Sequence, residues 1–308
     1  MFKNKALVLA KKEVTYGTDP TPTTATNAIL TDLPEVEPVF KRMDRLNVKA
    51  YLGNRPAISI GEAVKITFNT EVRGSGDATP DTPPEIGVLF VGCGMLETVT
   101  TKVVYTPQDQ MDGPSITLWF WQDGHKYVIN GARGTWSLEG KAGEFGKIKW
   151  EFTGLYGGPA DMAIPTDAVF NAEIPPALKS ASFTLGSFAG VIESFKMAYG
   201  NEIVKRPSAN ATTGFLAQFI KDRKVTAQID PEAEVLSNFN PITLVTAGTA
   251  QAMAITFGSA VGKRMKVACP KVVIDSAKYA ERENILTWDG SLLICPDTGE
   301  DDVEITFD

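Results

Sequence analysis

The feature that most narrows the fold is alternation. Val64, Ile66 and Phe68 alternate with Lys65, Thr67 and Asn69, and Ile148, Trp150 and Phe152 alternate with Lys147, Lys149 and Glu151. A period of two sends apolar residues to one side of an extended chain and polar residues to the other, so each run reads as a strand with one buried face. The run Ile116-Thr117-Leu118-Trp119-Phe120-Trp121 is apolar on both faces. It reads as a central strand covered on both sides, or as one whose second face meets a neighbouring subunit. Helical spacing is scarce. Pro84 to Leu96 carries Ile86, Leu89, Phe90, Cys93 and Leu96 behind two prolines that place its start, and a second candidate covers about Pro241 to Ala250. The expected class is mainly β.

Similar segments recur in the same order along the chain. Phe40-Lys41 matches Phe195-Lys196, Arg55-Pro56 matches Arg206-Pro207, Lys65-Ile66-Thr67 matches Lys224-Val225-Thr226, and the strand around Trp150 matches the one around Trp288. Between these anchors each half holds an alternating strand, a helix candidate, a strand pair around a polar turn, and two closing strands. A chain of 308 residues is long enough for two modest cores. The expected division is an N-terminal arm over 1–32, one small β domain over 33–158, a Gly- and Pro-containing linker over 159–177, and a second copy over 178–308.

Two polar stretches stand apart from the alternation. The arm begins with the patch Ala6-Leu7-Val8-Leu9 and continues through Val14, Tyr16 and Asp19 into a Thr- and Pro-rich run that resists helix. Arg73 to Pro83, with Asp77 and Asp81, has several Gly and Pro residues and no periodicity, so it reads as a long exposed loop.

The residues argue against most chemistry. His125 is the single histidine and sits in the turn Gln122-Asp123-Gly124-His125-Lys126, which leaves no histidine-rich metal site and only a turn residue for a catalytic triad. Gly92-Cys93-Gly94 lacks the third glycine of a dinucleotide turn, and Gly143-Glu144-Phe145-Gly146-Lys147 lacks the spacing of a phosphate loop. Asn210-Ala211-Thr212 is a glycosylation sequon in a chain without a secretory signal, and Asp297 to Asp302 reads as a solvated charge run. Cys93, Cys269 and Cys295 form no close pair, so reduced thiols are expected rather than disulfides. No apolar run reaches the length of a membrane span. The formal charge of −7 is spread over both halves, which opposes gripping DNA through its phosphates but not enclosing it. No catalytic residue, metal or cofactor is expected.

The opening Ala10-Lys11-Lys12-Glu13-Val14-Thr15-Tyr16-Gly17-Thr18-Asp19-Pro20, then Asn27-Ala28-Ile29-Leu30, the strand pair around Gly53-Asn54-Arg55-Pro56, the long polar loop and one helix per copy resemble siphophage major tail tube proteins. The resemblance implies a β-sandwich or open barrel with one flanking helix, whose strands join those of neighbours into a ring around a lumen. Stacked rings then form a virion tube, assembled in the host bacterial cytoplasm, through which DNA is ejected. Because members with one such domain form hexameric rings, a duplicated chain implies trimeric rings with pseudo-sixfold symmetry. It also implies that Leu7, Leu9, Val14, Tyr16 and Asp19 of the arm, and Arg73, Asp77 and Asp81 of the loop, reach the adjacent ring. Implied partners are further copies of the chain and the tail tip, tape measure and terminator proteins, with DNA passing through unbound. From the overall charge, inner strands with more acidic than basic side chains are expected. The rival reading is a two-domain sandwich that binds a ligand or acts as an adhesin, with Trp119, Trp121 and Trp136 on its ligand face.

Overall fold

The computed structural model describes the chain except for residues 1, 3, 78, 111, 179–181, 212 and 213. Ala78 of the expected loop and Thr212 of the sequon therefore lie outside the described residues. The protein is mainly β, with large antiparallel sheets and, among the described residues, two short helices. The strands of the first half are β1 (Ala6–Lys12), β2 (Ala28–Ile29), β3 (Glu35–Met43) and β4 (Ile58–Glu71), then, after helix α1 (Gly87–Gly92), β5 (Met95–Val99), β6 (Val103–Pro107), β7 (Ile116–Gln122), β8 (His125–Lys141) and β9 (Lys147–Asp161). The second half contains β10 (Phe183–Leu185), β11 (Ser194–Ala198), β12 (Asn201–Pro207), β13 (Phe215–Arg223) and β14 (Thr226–Ile229). Helix α2 (Pro241–Ala247) precedes β15 (Gln251–Phe257), β16 (Met265–Arg282), β17 (Ile285–Cys295) and β18 (Glu304–Phe307).

The alternating runs fall where their period requires. Lys65 to Asn69 lies in β4 and Ile148 to Phe152 in β9; Phe68 pairs with Trp150, and both side chains are buried. The doubly apolar run is β7, held between β1 and β8. One of its faces joins the main core. The other forms a second cluster in which Leu7, Leu9, Ala28 and Trp121 pack with Ile164 and Ala168 of the segment that follows β9. The cover on that side is thus supplied by the chain itself.

Both helices are shorter than their apolar spacing suggests, for local reasons. Gly94, at φ +78°, turns the chain straight into β5 and ends α1. Asn240 caps α2 by accepting a hydrogen bond from the Thr243 amide at 3.1 Å, Pro241 opens it, and Gly248 in the left-handed region closes it.

The two halves repeat one set of pairings. In the first half β1 pairs with β7, β7 with β8, β8 with β9, β9 with β4 and β4 with β3. In the second half β10 pairs with β15, β15 with β16, β16 with β17, β17 with β14 and β14 with β11. Even a bulge recurs: Ile116 and Leu118 face Ala132 and Ile129, and Gln251 and Met253 face Val272 and Cys269. Following the ladders outward from this bulge, Arg133 opposite Thr153 corresponds to Val273 opposite Leu293. In that register Trp288 stands where Ile148 does, two positions from the Trp150 that residue identity had suggested, although both tryptophans are buried.

The halves are joined rather than strung. β8 runs past the end of β7 and pairs through Ser137–Lys141 with β11, while β18 pairs with β6. One large apolar cluster draws on both halves, with Phe90, Trp136 and Trp150 beside Tyr199, Phe257 and Phe307. Phe90 lies at its centre, its ring 4.9 Å from Trp150, 5.2 Å from Tyr105 and 5.6 Å from Trp136. Phe90→Ala is expected to lower stability by about 3–5 kcal/mol, the usual cost of emptying an aromatic site in a packed core. Denaturant unfolding would then show a single transition at a lower midpoint; two separate transitions would indicate independent halves.

Candidate assembly surface

Most of the residues expected in a free N-terminal arm are engaged within the chain. Leu7 and Leu9 are buried in β1, because its continuous apolar run packs Val8 and Ala10 on the main core and Leu7 and Leu9 on the second cluster. Asp19 accepts a hydrogen bond from the Trp119 indole N–H at 3.0 Å. The Tyr16 hydroxyl accepts from the Gln218 amide at 2.8 Å, and its ring lies under the Arg133 guanidinium. Of the five, Val14 alone is fully exposed.

The turn that leads out of β1 is built on buried charge. Glu13 is 6% exposed, and its carboxylate accepts from the Gly17 amide at 2.8 Å, the Ser115 and Thr117 hydroxyls at 2.6 Å each and the Gly131 amide at 2.7 Å. Gly131, at φ +59°, leaves room for the Tyr16 ring, since a Cβ there would lie 2.6 Å from it. Arg133, 3% exposed, donates to the carbonyls of Gly113 and Gln218. Burial pushes the Tyr16 hydroxyl above its ordinary pKa and the Arg133 guanidinium below its own. Because Gln218 belongs to β13, this cluster ties the N-terminal segment to both halves.

The expected loop after β4 is likewise pinned at its base. Arg73 pairs with Glu71 and donates to the Asn171 carbonyl at 3.2 Å. A Cβ on Gly74 would lie 2.1 Å from the Gly262 carbonyl oxygen, and one on Gly262 would lie 2.0 Å from that of Asp77, so the loop and the 258–264 turn pack backbone to backbone. Asp77 accepts from the Thr82 hydroxyl at 3.0 Å, while Asp81 is exposed.

Composition did not reveal the more prominent surface. The tip of the β3–β4 hairpin, residues 44–57, exposes Leu46 at 95%, Val48 at 94%, Tyr51 at 68% and Leu52 at 100%. Its signal was present as Leu46, Val48, Ala50 and Leu52 alternating with Asn47, Lys49 and Tyr51, a pattern that reads as strand and not as an exposed tip. The acidic end is not simply a solvated run either: Asp302 is 4% exposed and pairs with Arg223 at 2.9 Å, and Arg223 also reaches Asp109 at 3.0 Å. Trp121 and Trp136 are buried, and the half-buried Trp119 is covered by the Lys126 ammonium 3.0 Å from its ring centroid. These tryptophans offer no open ligand face.

Strand edges and a curved face complete the surface. An unbroken ladder runs β3-β4-β9-β8-β11-β14-β17-β16, four strands from each half in the same order. Among the described residues no strand pairs with β3 on the side away from β4, or with β16 beyond Val272 on the side away from β17. On the face turned away from the core lies a depression lined by Ser137, Glu139, Lys196, Thr226, Gln228, Asp275 and Ser291, so the ladder curves toward that largely polar face. Among the described residues, no group of three or more His, Cys, Asp or Glu side chains is placed to hold a metal ion, and no helix is long and apolar enough to cross a membrane.

Glu13→Ala would strand four donors and is expected to cost about 3–5 kcal/mol, as for a buried charge whose partners lose it. Hydrogen exchange should show the loss concentrated in residues 13–20 and in β13; uniform protection across the chain would contradict the clamp.

No curated protein matches the chain. A family model described as phage tail tube protein matches residues 3–308. With its mainly antiparallel β fold and its family match over nearly the whole length, the chain belongs to the phage tail tube protein family, a family of structural virion proteins that assemble into tails.

Proposed function

We propose that this protein is the ring-forming subunit of a non-contractile phage tail tube, that its halves are two copies of one tube domain, and that three subunits close a ring of pseudo-sixfold symmetry. The eight-strand ladder carries this reading. Its second four strands repeat the pairing order of its first four, and among the described residues it ends in two unpaired edges, along β3 and along β16 beyond Val272. Such edges invite pairing, and closing them around a ring removes the hazard. Three copies supply six equivalent four-strand units, and closure of a heterologous contact yields a ring rather than a filament.

The curved polar face then lines a conduit for DNA during ejection. On that face acidic and basic side chains are interspersed. Lys65 lies 2.8 Å from Glu151, Lys278 lies 3.0 Å from Asp289 and Lys196 lies 3.6 Å from Glu139, while Lys147 stands opposite both Glu71 and Glu139. The lining would then combine paired charges with Ser, Thr and Gln, and would also carry Asp275. Lys65, Lys196 and Lys278 each have an anion within reach and Lys147 stands opposite two, whereas Lys149 faces Asn69 and Ser137, so few cations are free to exchange counterions with phosphates and hold DNA.

Stacking falls to the projecting tips. Residues 44–57 offer exposed apolar side chains, Asp81 and Val14 lie on other projecting segments, and burial of such side chains against the next ring would stabilise a tube. The tail tip, tape measure and terminator proteins would meet the tube's ends, and assembly would take place in the host cytoplasm.

Electron microscopy of the purified chain tests the reading. Rings of three subunits with six similar lobes, stacking into tubes, are expected; a strictly monomeric protein at millimolar concentration would overturn it. Replacing Leu46, Val48 and Leu52 together by Ser is expected to leave rings intact and abolish tubes. Undiminished tubes from that variant would remove the hairpin tip from the stacking contact.

A further inference from the structure

We infer that the edge of β16 receives the start of β3 from a second copy of this chain, in the register the chain already uses once within itself between β8 and β11. This rests on the ring reading and adds to it a specific set of partners.

The internal junction is the template. β11 lies against β8 with Lys196 opposite Glu139, Met197 opposite Leu138 and Ala198 opposite Ser137. The recurring bulge sets the equivalence between the halves, and the ladders carry it to both edges. Thr153 opposite Lys65 opposite Glu37 corresponds to Leu293 opposite Thr226 opposite Ala198. Ser137 opposite Lys149 corresponds to Lys278 opposite Asp289. Glu37 is therefore the counterpart of Ala198, and Lys278 the counterpart of Ser137. Transferring the internal register to two copies puts Glu37 opposite Lys278, Val36 opposite Tyr279 and Glu35 opposite Ala280.

Three observations favour this pairing. The first is charge: directly opposed Glu37 and Lys278 attract, and Glu35 lies on the diagonal from Lys278, within reach of a long side chain. The second is burial. Leu138 and Met197 are each 1% exposed at the internal junction, whereas Tyr279, the counterpart of Leu138, is 54% exposed and Val36 is only half-buried. A strand laid along β16 would cover them as β11 covers Leu138. The third is access. Helix α2 packs on β16, but α1 likewise packs on β8, which still accepts β11.

The test uses tubes assembled from a chain carrying Cys295→Ser, which removes the one partly exposed thiol, with Glu37→Cys and Lys278→Cys. Directly opposed strand residues approach closely enough for a disulfide, while diagonal ones do not. Mild oxidation is expected to convert the subunits into covalent trimers, and the offset pair Glu37→Cys with Ala280→Cys is expected to leave them as monomers. Three-subunit rings that cross-link only through the offset pair, or through neither, would overturn this register and leave the ring reading standing. Failure of the unmodified chain to form rings would overturn both. As a second measure, Lys278→Glu should lower the assembled fraction about tenfold, and adding Glu37→Lys should restore it. Both side chains are exposed, and each reversal costs only one surface pair within the chain, Lys278 with Asp289 or Glu37 opposite Lys65, so melting of the unassembled variants should fall only slightly; a double variant no better than the single would count against the pairing.

Discussion

The fold depends on one long strand with three neighbours. β8 pairs along one edge with β9, and along the other first with β7 and then, where β7 ends, with β11 of the second half. Were β8 to stop with β7, the first half would end in a bare edge and the second would begin with one. By continuing to Lys141 it converts two four-strand sheets into one ladder of eight and brings Trp136 over Tyr199, stacked at 5.1 Å. β6 pairs with β18 to make a second crossing. With two crossings and one shared core, loss of one half's packing exposes the other's, so the halves are expected to fold as a cooperative unit.

Buried charge reinforces that joint at a cost. A carboxylate and a guanidinium lose much hydration on burial and are tolerated only where their hydrogen bonds are replaced. Glu13 regains four donors, and Arg133 reaches carbonyls of Gly113, Pro114 and Gln218. The full set of contacts forms only when the N-terminal segment, β8 and β13 are all in place. The geometry therefore specifies one arrangement of the halves more than it adds stability, and it explains why a Thr- and Pro-rich stretch is part of the fold instead of a loose arm.

The alternation was legible because it follows from the pleat itself. Period two in Val64 to Asn69 and Lys147 to Phe152, and its absence in Ile116 to Trp121, located β4, β9 and β7 and identified their buried faces. Register was not legible, for the same reason. A slip of two residues leaves every side chain on its own face, so matching Trp150 to Trp288 satisfied the pattern while missing the ladder by two positions. The loops misled differently. Arg73 to Pro83 has the composition of a mobile loop, but its glycines serve a close backbone approach at Gly74 and Gly262, a contact remote in sequence. The apolar side chains of residues 44–57 resembled strand more than loop until the hairpin's length showed them projecting beyond β9.

Net charge proved the least informative quantity. A value of −7 is a sum over all surfaces, whereas the field along a sheet face is set by neighbours about 5 Å apart across a ladder. On the curved face several of those neighbours are of opposite sign, as in Lys65 with Glu151, Lys196 with Glu139 and Lys278 with Asp289, so the local field does not follow the total. The same pairing rule extends to the edges. Among the described residues, Lys278 has Asp289 beside it on β17 and no strand on its other side, and Glu37 has Lys65 beside it on β4 and no strand on its own. A ladder whose edge cation and edge anion each lack one lateral neighbour is incomplete by one strand at both ends, and in the proposed ring the segment that completes either end is the opposite end of another copy.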